Sequence, residues 1–99
     1  MIDLIMRKHV SGKEILLAIC DKKLLGKTLK KGDVEIKIGD FYKGEDISDD
    51  ELFSEIKKAT VINAIGEETI SFFLKNKIIN REDLVYINEV PHAQIYKMV

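Results

Sequence analysis

The feature that most constrains the fold is an uninterrupted apolar run, I-L-L-A-I-C, from Ile15 to Cys20. Six residues are too few for a stable helix, and a run without alternation is typical of a strand covered on both faces. The polar residues that begin at Asp21 follow directly, and sheet-based domains tend to display binding residues where a strand ends. The run therefore predicts a buried strand with candidate surface positions after it.

The N-terminal part of the chain predicts a β-hairpin. Loose alternation from Ile2 to Val10 indicates a first strand, and a short Gly-containing connection at 11–13 leads into Glu14–Cys20 as its antiparallel partner. After Cys20, Asp21 is placed to cap one helical turn that Gly26 ends. A third, half-buried strand is predicted by alternation over 34–38, and a loop follows at 41–45.

The second half of the chain alternates helices and strands. Ser48 and Glu51 have capping-box spacing, which predicts a helix from Asp49 to about Lys58. Beyond it, the residue types predict a buried strand over 60–65, a helix over 67–77, a short strand over 84–87 that Pro91 ends, and a last strand over 93–98 that can lie at a sheet edge. These elements predict one α+β or α/β domain spanning 1–99, with a mixed sheet of about five to six strands.

Composition and charge narrow the function classes. The net charge of −1 argues against a protein that grips nucleic acid by bulk electrostatics, but the charge is segregated. Residues 1–38 hold nine Lys/Arg against five Asp/Glu, and residues 40–56 hold one lysine against seven acids. The N-terminus has neither a signal peptide's apolar core nor the length of a membrane span, and a lone cysteine suits a reducing compartment. We therefore expect a cytoplasmic protein without a membrane partner.

Cys20 is the candidate nucleophile, with His9 or His92 as its base. The alternative is that Cys20 acts as a small buried hydrophobe, as free cysteines usually do. The histidines, Cys20 and the carboxylates lack the spacing of a preorganised zinc site, so we expect no metal and no cofactor. Gly26-Lys27-Thr28 resembles the end of a phosphate-binding loop, but Asp21 stands where that loop needs its first glycine.

Two segments are candidate binding sites. Asn63 precedes Gly66, where a strand running into a helix would present backbone N–H groups to an anion. His92 and Gln94 follow Pro91 and project to the same side of an extended chain, where they could recognise an amide, a base edge or a peptide group. Each segment has a structural alternative, namely an ordinary turn at Gly66 and a solvated edge-strand pair at His92 and Gln94.

The order of the landmarks resembles a known family. They are C-D-x-x-L-L-G-K at Cys20 to Lys27, Phe41-Tyr42 with Gly44, Ala59 with Asn63 and Gly66-Glu67, and P-H-A-Q at Pro91 to Gln94. Together they resemble the small archaeal proteins of the domain-of-unknown-function family DUF424. The resemblance implies a stand-alone cytoplasmic archaeal protein with an α/β-type fold and no established activity, in a gene context linked to translation.

Three functional hypotheses follow. The first is a non-enzymatic module that binds RNA or a ribonucleoprotein of the translation apparatus, through candidate residues Lys22, Lys23, Gly26, Lys27, Tyr42, Asn63, Gly66, Pro91, His92 and Gln94. The second is a protein–protein adaptor that uses the acidic helix from Asp49 to Lys58. The third is a thiol enzyme based on Cys20.

Overall fold

The computed structural model describes residues 3–97 and is built on a six-stranded mixed sheet. In chain order the elements are β1 Leu4–Ser11, β2 Glu14–Asp21, β3 Thr28–Lys31, β4 Val34–Lys37, β5 Glu45–Ile47, α1 Asp49–Lys58, β6 Val61–Ile65, α2 Glu67–Lys75, β7 Val85–Ile87 and β8 Val90–Tyr96. Short 3-10 helices lie at Lys22–Leu24 and Arg81–Asp83. The predicted α+β fold, with a mixed sheet, an N-terminal hairpin and two helices, is confirmed.

The strand order in the sheet is β5-β1-β2-β6-β8-β7. β2 pairs antiparallel with β1 and parallel with β6, and every other neighbouring pair in this sheet is antiparallel. A parallel pair needs a long crossover between its strands, and the chain from 22 to 60 supplies it. That crossover carries β3, β4, β5 and α1, so the middle third of the chain is arranged around the two central strands.

The apolar run of β2 is covered on both faces, as predicted. Leu17 and Ile19 belong to the core cluster that also contains the buried residues of α1 and α2. Ala18 and Cys20 point to the other face and belong to a cluster with Leu29, Ile38 and Tyr42. We call this second side of the sheet, which the β3–β4 pair covers in part, the hairpin face. Two covered faces explain why the run has no polar alternation.

The third strand differs from its prediction. β4 does not join the main sheet but pairs only with β3, in a separate two-stranded sheet. β3 was not predicted because its sequence, T-L-K-K, contains a single apolar residue. Leu29 and Ile36 face each other across this pair and pack toward the hairpin face, while Lys30 pairs with Glu35. One inward-facing apolar side chain per strand, buried Leu29 and half-buried Ile36, is enough here because the pair lies on an existing sheet.

Another strand lies at the end of the predicted 41–45 loop. β5 begins at Glu45 and pairs with Leu4–Met6 of β1 at the edge of the sheet. Gly44 allows this approach, since a Cβ at that position would lie 2.0 Å from the Met6 carbonyl oxygen. Local residue types do not encode such a contact, so the strand was missed.

Pro91 does not end a strand, and the last strand is not an edge. β8 includes Pro91 and lies between β6 and β7, and Met98 of the predicted strand is outside the described residues. The Pro91 carbonyl accepts a hydrogen bond from Gly66 N at 2.9 Å, and the Gly66 carbonyl is used by Ile70 N in α2. Proline has no N–H to donate to the Gly66 carbonyl, but that carbonyl already accepts a hydrogen bond from Ile70. The strand therefore tolerates proline at position 91 without an unpaired backbone group across from it.

Candidate functional site

The junction between β2 and α2 is held by Asp21. Its carboxylate is fully buried and accepts hydrogen bonds from the backbone N–H groups of Glu68 at 3.1 Å and Thr69 at 2.8 Å, and from the Thr69 hydroxyl at 2.7 Å. Asp21 was predicted to cap its own helical turn, but its side chain makes no such bond and caps α2 instead. An internal carboxylate therefore occupies the helix N-terminus that the sequence offered to an external anion.

Gly66 is shaped by the same junction. Its φ is +117°, and a Cβ there would lie 2.3 Å from Asp21 Oδ1. Only glycine combines that backbone conformation with so close an approach of a buried carboxylate. The structural role of Gly66 is thus explained without a ligand.

Tyr42, Asn63 and His92 form a hydrogen-bonded group on the hairpin face, which we call the Asn63 cluster. The Tyr42 hydroxyl donates to Asn63 Oδ1 at 2.5 Å, and His92 Nε2 lies 3.2 Å from the same oxygen. Tyr42 comes from the loop before β5, Asn63 from β6 and His92 from β8. Three segments that are distant in sequence therefore converge on one amide oxygen.

Burial sets the protonation states in this cluster. Loss of solvent raises the pKa of Tyr42 to about 12, with a smaller effect from nearby Cys20, so its hydroxyl remains a donor at neutral pH. Burial also lowers the pKa of His92, which favours the neutral imidazole. A neutral ring whose Nε2 contacts an acceptor oxygen carries its proton on Nε2, which leaves Nδ1 as an acceptor.

The loop over 39–44 crosses the hairpin face and is tied to it by side chains. Arg7 donates to the Asp40 carbonyl at 2.6 Å, and His9 Nε2 lies 2.9 Å from the Phe41 carbonyl oxygen. The rings of His9 and Phe41 stack, with centroids 4.7 Å apart and an angle of 18° between their planes. Phe41 remains 41% exposed, so the stack presents an aromatic surface to solvent.

Gln94 and Tyr96 extend the same face. Asn63 and Gln94 are partners in the β6–β8 register, and Tyr96, 68% exposed, donates to Gln94 Oε1 at 2.9 Å. The register also lines up His9 with Tyr96 in one row, with the half-buried Leu16 and Val61 between them. We call this region the open sheet surface; it consists of His9, Phe41, Asn63, Gln94 and Tyr96.

The remaining candidate residues are structural or separate. Lys22 forms an exposed ion pair with Asp46 at 3.0 Å, toward the β5 edge, and the neighbouring Lys23 is exposed. Gly26 donates to the Ile38 carbonyl at 2.6 Å, and the Lys27 backbone bonds to both Leu24 and Ile38. Among residues 3–97, no hydrogen bond joins these residues to the Asn63 cluster. The backbones of Gly26 and Lys27 join the start of β3 to the end of β4 through Ile38, and the Lys27 side chain is exposed.

Sequence reasoning missed two aromatic members of the surface. Phe41 and Tyr96 were not candidates, and His9 was considered only as a catalytic base. For Tyr96 a signal existed, because His92, Gln94 and Tyr96 occupy alternating positions of one strand and therefore share a face. For Phe41 no local signal existed, since its stacking partner lies 32 positions earlier in the chain.

Cys20 has the properties of a core residue. Its side chain is fully buried, and burial, with a smaller effect from Asp21, raises the pKa of the thiol to about 12. The β1–β2 register pairs Cys20 with Ile5, so His9 lies four residues, about 13 Å, along the strand. His92 lies on β8, two strands from Cys20, and Ile65 of β6 lies between the two residues in the register. These facts argue against Cys20 as a nucleophile.

The described part of the chain offers neither a cluster of metal ligands nor a helix that could span a membrane. Within 3–97, no three His, Cys, Asp or Glu side chains lie close enough together to hold a metal ion. Neither α1 nor α2 has the length and apolar content needed to cross a bilayer.

Comparisons with known proteins agree with the fold. The family model described as "Protein of unknown function (DUF424)" matches residues 9–98, so the chain belongs to that family. The chain is also similar to a solved structure, "Crystal structure of an uncharacterized conserved protein from Methanopyrus kandleri", with 28% sequence identity and a TM-score of 0.82. That alignment covers 95% of this chain and 90% of the other. A search of curated proteins found no match.

Proposed function

We propose that the protein is a non-enzymatic binding module that contacts single-stranded RNA through the open sheet surface. The observation that carries the proposal is a pair of aromatic groups on one sheet face: the stack of half-buried His9 with exposed Phe41 at one end, and exposed Tyr96 at the other. Sheets that bind single-stranded RNA stack unpaired bases on aromatic rings and recognise base edges with neighbouring polar groups. Asn63 and Gln94 supply amides in the neighbouring row of the register, on the same face as the two rings.

Charge on the same side of the sheet supports contact with phosphates. Residues 22–38, which include the β3–β4 pair on the hairpin face, carry six lysines against two acids, Asp33 and Glu35. Lys27 and Lys37 are exposed and have no ion-pair partner among the described residues. Lysines of this kind neutralise backbone phosphates and release counterions, which makes binding depend on salt.

The proposed setting is the translation apparatus in an archaeal cytoplasm. A cytoplasmic archaeal protein that works in the translation apparatus would meet RNA in a reducing compartment, and the lone buried thiol of Cys20 is compatible with that setting. Ribonuclease-sensitive sedimentation with ribosomal particles in a host lysate would support the translation context. A protein that stays at the top of the gradient at low salt would contradict a stable ribonucleoprotein partner.

The adaptor hypothesis depends on α1. Asp49, Asp50 and Glu51 lie in the first turn of α1, where their negative charges interact favourably with the positive end of the helix dipole. The Ser48 hydroxyl oxygen accepts a hydrogen bond from the backbone N–H of Glu51. Phe53 is 39% exposed beside them, with the Lys57 ammonium 5.6 Å from its ring centroid. A protein partner that needs Phe53 and not Tyr96 would favour the adaptor over the RNA module.

The direct test is fluorescence anisotropy with a labelled single-stranded RNA of mixed sequence. Binding is expected to weaken between about 50 and 200 mM salt. Tyr96→Ala should raise Kd about tenfold, because one base stack contributes about 1–3 kcal/mol. Tyr86→Ala is the matched control, since Tyr86 is 50% exposed and lies on β7, outside the open sheet surface. Equal Kd values for the two variants would contradict the proposal.

A further inference from the structure

We propose that the C-terminal end of α2 carries a second binding site, a depression lined by Lys75, Lys77 and Arg81 that binds a phosphate dianion, either free or as a monoester. We call it the α2 depression. Because α2 packs on the side of the sheet opposite the hairpin face, this site is separate from the open sheet surface and does not depend on RNA binding there.

The α2 depression gathers positive charge without compensation. It has a volume of about 560 Å³, and within residues 3–97 no Asp or Glu lines it. Lys75, Lys77 and Arg81 are exposed, and none of them forms an ion pair with another residue of the described chain. Arg81 also borders a neighbouring hollow that contains Glu67 and Glu89, but it is paired with neither. Three uncompensated positive charges therefore line one space.

Lys77 occupies a backbone position that favours glycine. α2 ends in a Schellman motif, in which Ile78 N donates to the Phe73 carbonyl at 2.9 Å and Lys77 N donates to the Leu74 carbonyl at 3.0 Å. Lys77 has a φ of +58°, the left-handed conformation that glycine adopts at the lowest cost. Lysine is therefore present against the local preference, and a contact between its side chain and a ligand supplies a reason for it.

The helix dipole alone does not explain this arrangement. Cations in the last turn of a helix interact favourably with its C-terminal carbonyls, which is the ordinary structural role for Lys75. Arg81 belongs to a different element, the 3-10 helix Arg81–Asp83, yet it lines the same depression. The dipole of α2 therefore accounts for the lysines and not for the arginine beside them.

The lining of the depression selects the class of ligand. A phosphate monoester carries nearly two negative charges at neutral pH and three terminal acceptor oxygens, whereas each phosphodiester of RNA carries one charge. Arg81 offers a planar fork of donors and each lysine offers a point charge, and both kinds of group bind terminal phosphates. Half-buried Leu74 and buried Ile79 form an apolar part of the wall, where a lower local dielectric strengthens these interactions.

NMR measures binding at this site residue by residue. Backbone amide spectra are recorded at about pH 7.5, where a phosphate monoester is largely a dianion, during titration at constant ionic strength. Inorganic phosphate and adenosine 5′-monophosphate should each shift the amides over 71–81 in a saturable way. Tighter binding of the nucleotide would identify an organic monoester as the ligand, and equal binding would identify free phosphate. A single-stranded RNA with hydroxyl ends contains only diesters, so equally strong shifts of these amides by that RNA would overturn the preference for a dianion.

Arg81→Gln should raise the Kd for phosphate about tenfold or more, because it removes the bidentate donor. Lys58→Gln is the matched control and should leave Kd unchanged, since Lys58 is an exposed lysine in the last turn of the other helix. Equal Kd values for the two variants, or shifts that spread evenly over all surface lysines, would mean an adventitious ion only and would overturn the site.

Lys77→Gly separates binding from folding. Glycine suits the φ of +58° at position 77, so the variant should unfold at a higher urea concentration than wild type while it binds phosphate more weakly. Weaker binding by a more stable protein cannot result from misfolding. A glycine variant that keeps the wild-type Kd for phosphate would overturn the part of the proposal that places Lys77 against the ligand.

Discussion

The carboxylate of Asp21 accepts hydrogen bonds from both the backbone N–H and the hydroxyl of Thr69, although 48 positions of sequence separate the two residues. The contact joins the end of β2 to the first turn of α2, beside Gly66. It also brings a buried negative charge to the positive end of a helix dipole, so the charge is stabilised by hydrogen bonds and by the dipole.

Asp21→Asn should lower the free energy of unfolding by about 2 kcal/mol or more, because the amide can keep only one acceptor toward three donors. Urea denaturation monitored by circular dichroism measures the change. Asp33→Asn, at the exposed turn between β3 and β4, is the control and should stay within about 0.5 kcal/mol of wild type. Equal effects at the two positions would contradict a capping role for Asp21.

Gly66→Ala should lower the free energy of unfolding by about 3 kcal/mol or more, because the new methyl group would displace the Asp21 carboxylate from its three hydrogen bonds. Gly32→Ala is the matched control. Gly32 also has a positive φ, +60°, but no atom lies within 4 Å of its Cβ position, so that change should cost about 1 kcal/mol. If both variants have the same midpoint of urea unfolding, steric contact with Asp21 is not the reason that position 66 requires glycine.

The protein should lose stability as pH rises above about 9. Burial raises the pKa of Cys20 from 9.0 to about 12, so the unfolded chain releases this proton at a lower pH than the folded chain does. The folded state is therefore disfavoured progressively between the two pKa values. Cys20→Ala should flatten the decline between pH 9 and 12, as urea titrations at several pH values would show. An identical pH dependence in the variant would mean that the thiol does not contribute.

The protein should also lose stability as pH falls below about 6.5. Burial lowers the pKa of His92 below 6.5, so that as pH falls the unfolded chain takes up a proton before the folded chain does. The stability that the neutral ring contributes is therefore lost as pH falls from about 6.5 through the pKa of the folded state. The carbon-bound ring protons of His92 report its titration directly by NMR. A midpoint at or above 6.5 would contradict the expectation that burial favours the neutral ring of His92.

The members of the Asn63 cluster and Gln94 were candidates from the sequence, but their arrangement and the aromatic members of the open sheet surface were not predicted. Asn63, His92 and Gln94 were candidates because polar side chains within strand-like segments stand out from their neighbours. Their adjacency depends on the β6–β8 register, which pairs Asn63 with Gln94 and follows from packing against both faces of the sheet. Tyr42 joined them through a loop, and loop paths are set by contacts such as Arg7 with the Asp40 carbonyl.

What the sequence by itself determined is local: the β1–β2 hairpin, the Ser48 cap of α1 and the buried character of β2 all follow from residue type and spacing within a few positions. The tertiary structure alone decided that Asp21 caps α2 instead of its own turn, that β8 lies inside the sheet, and that β3 and β4 form a separate pair on its surface. The physical reason is that a hydrogen-bond acceptor or a strand edge takes whichever partner the packed chain brings near, and partners 30 to 50 positions away leave no periodicity in the local sequence.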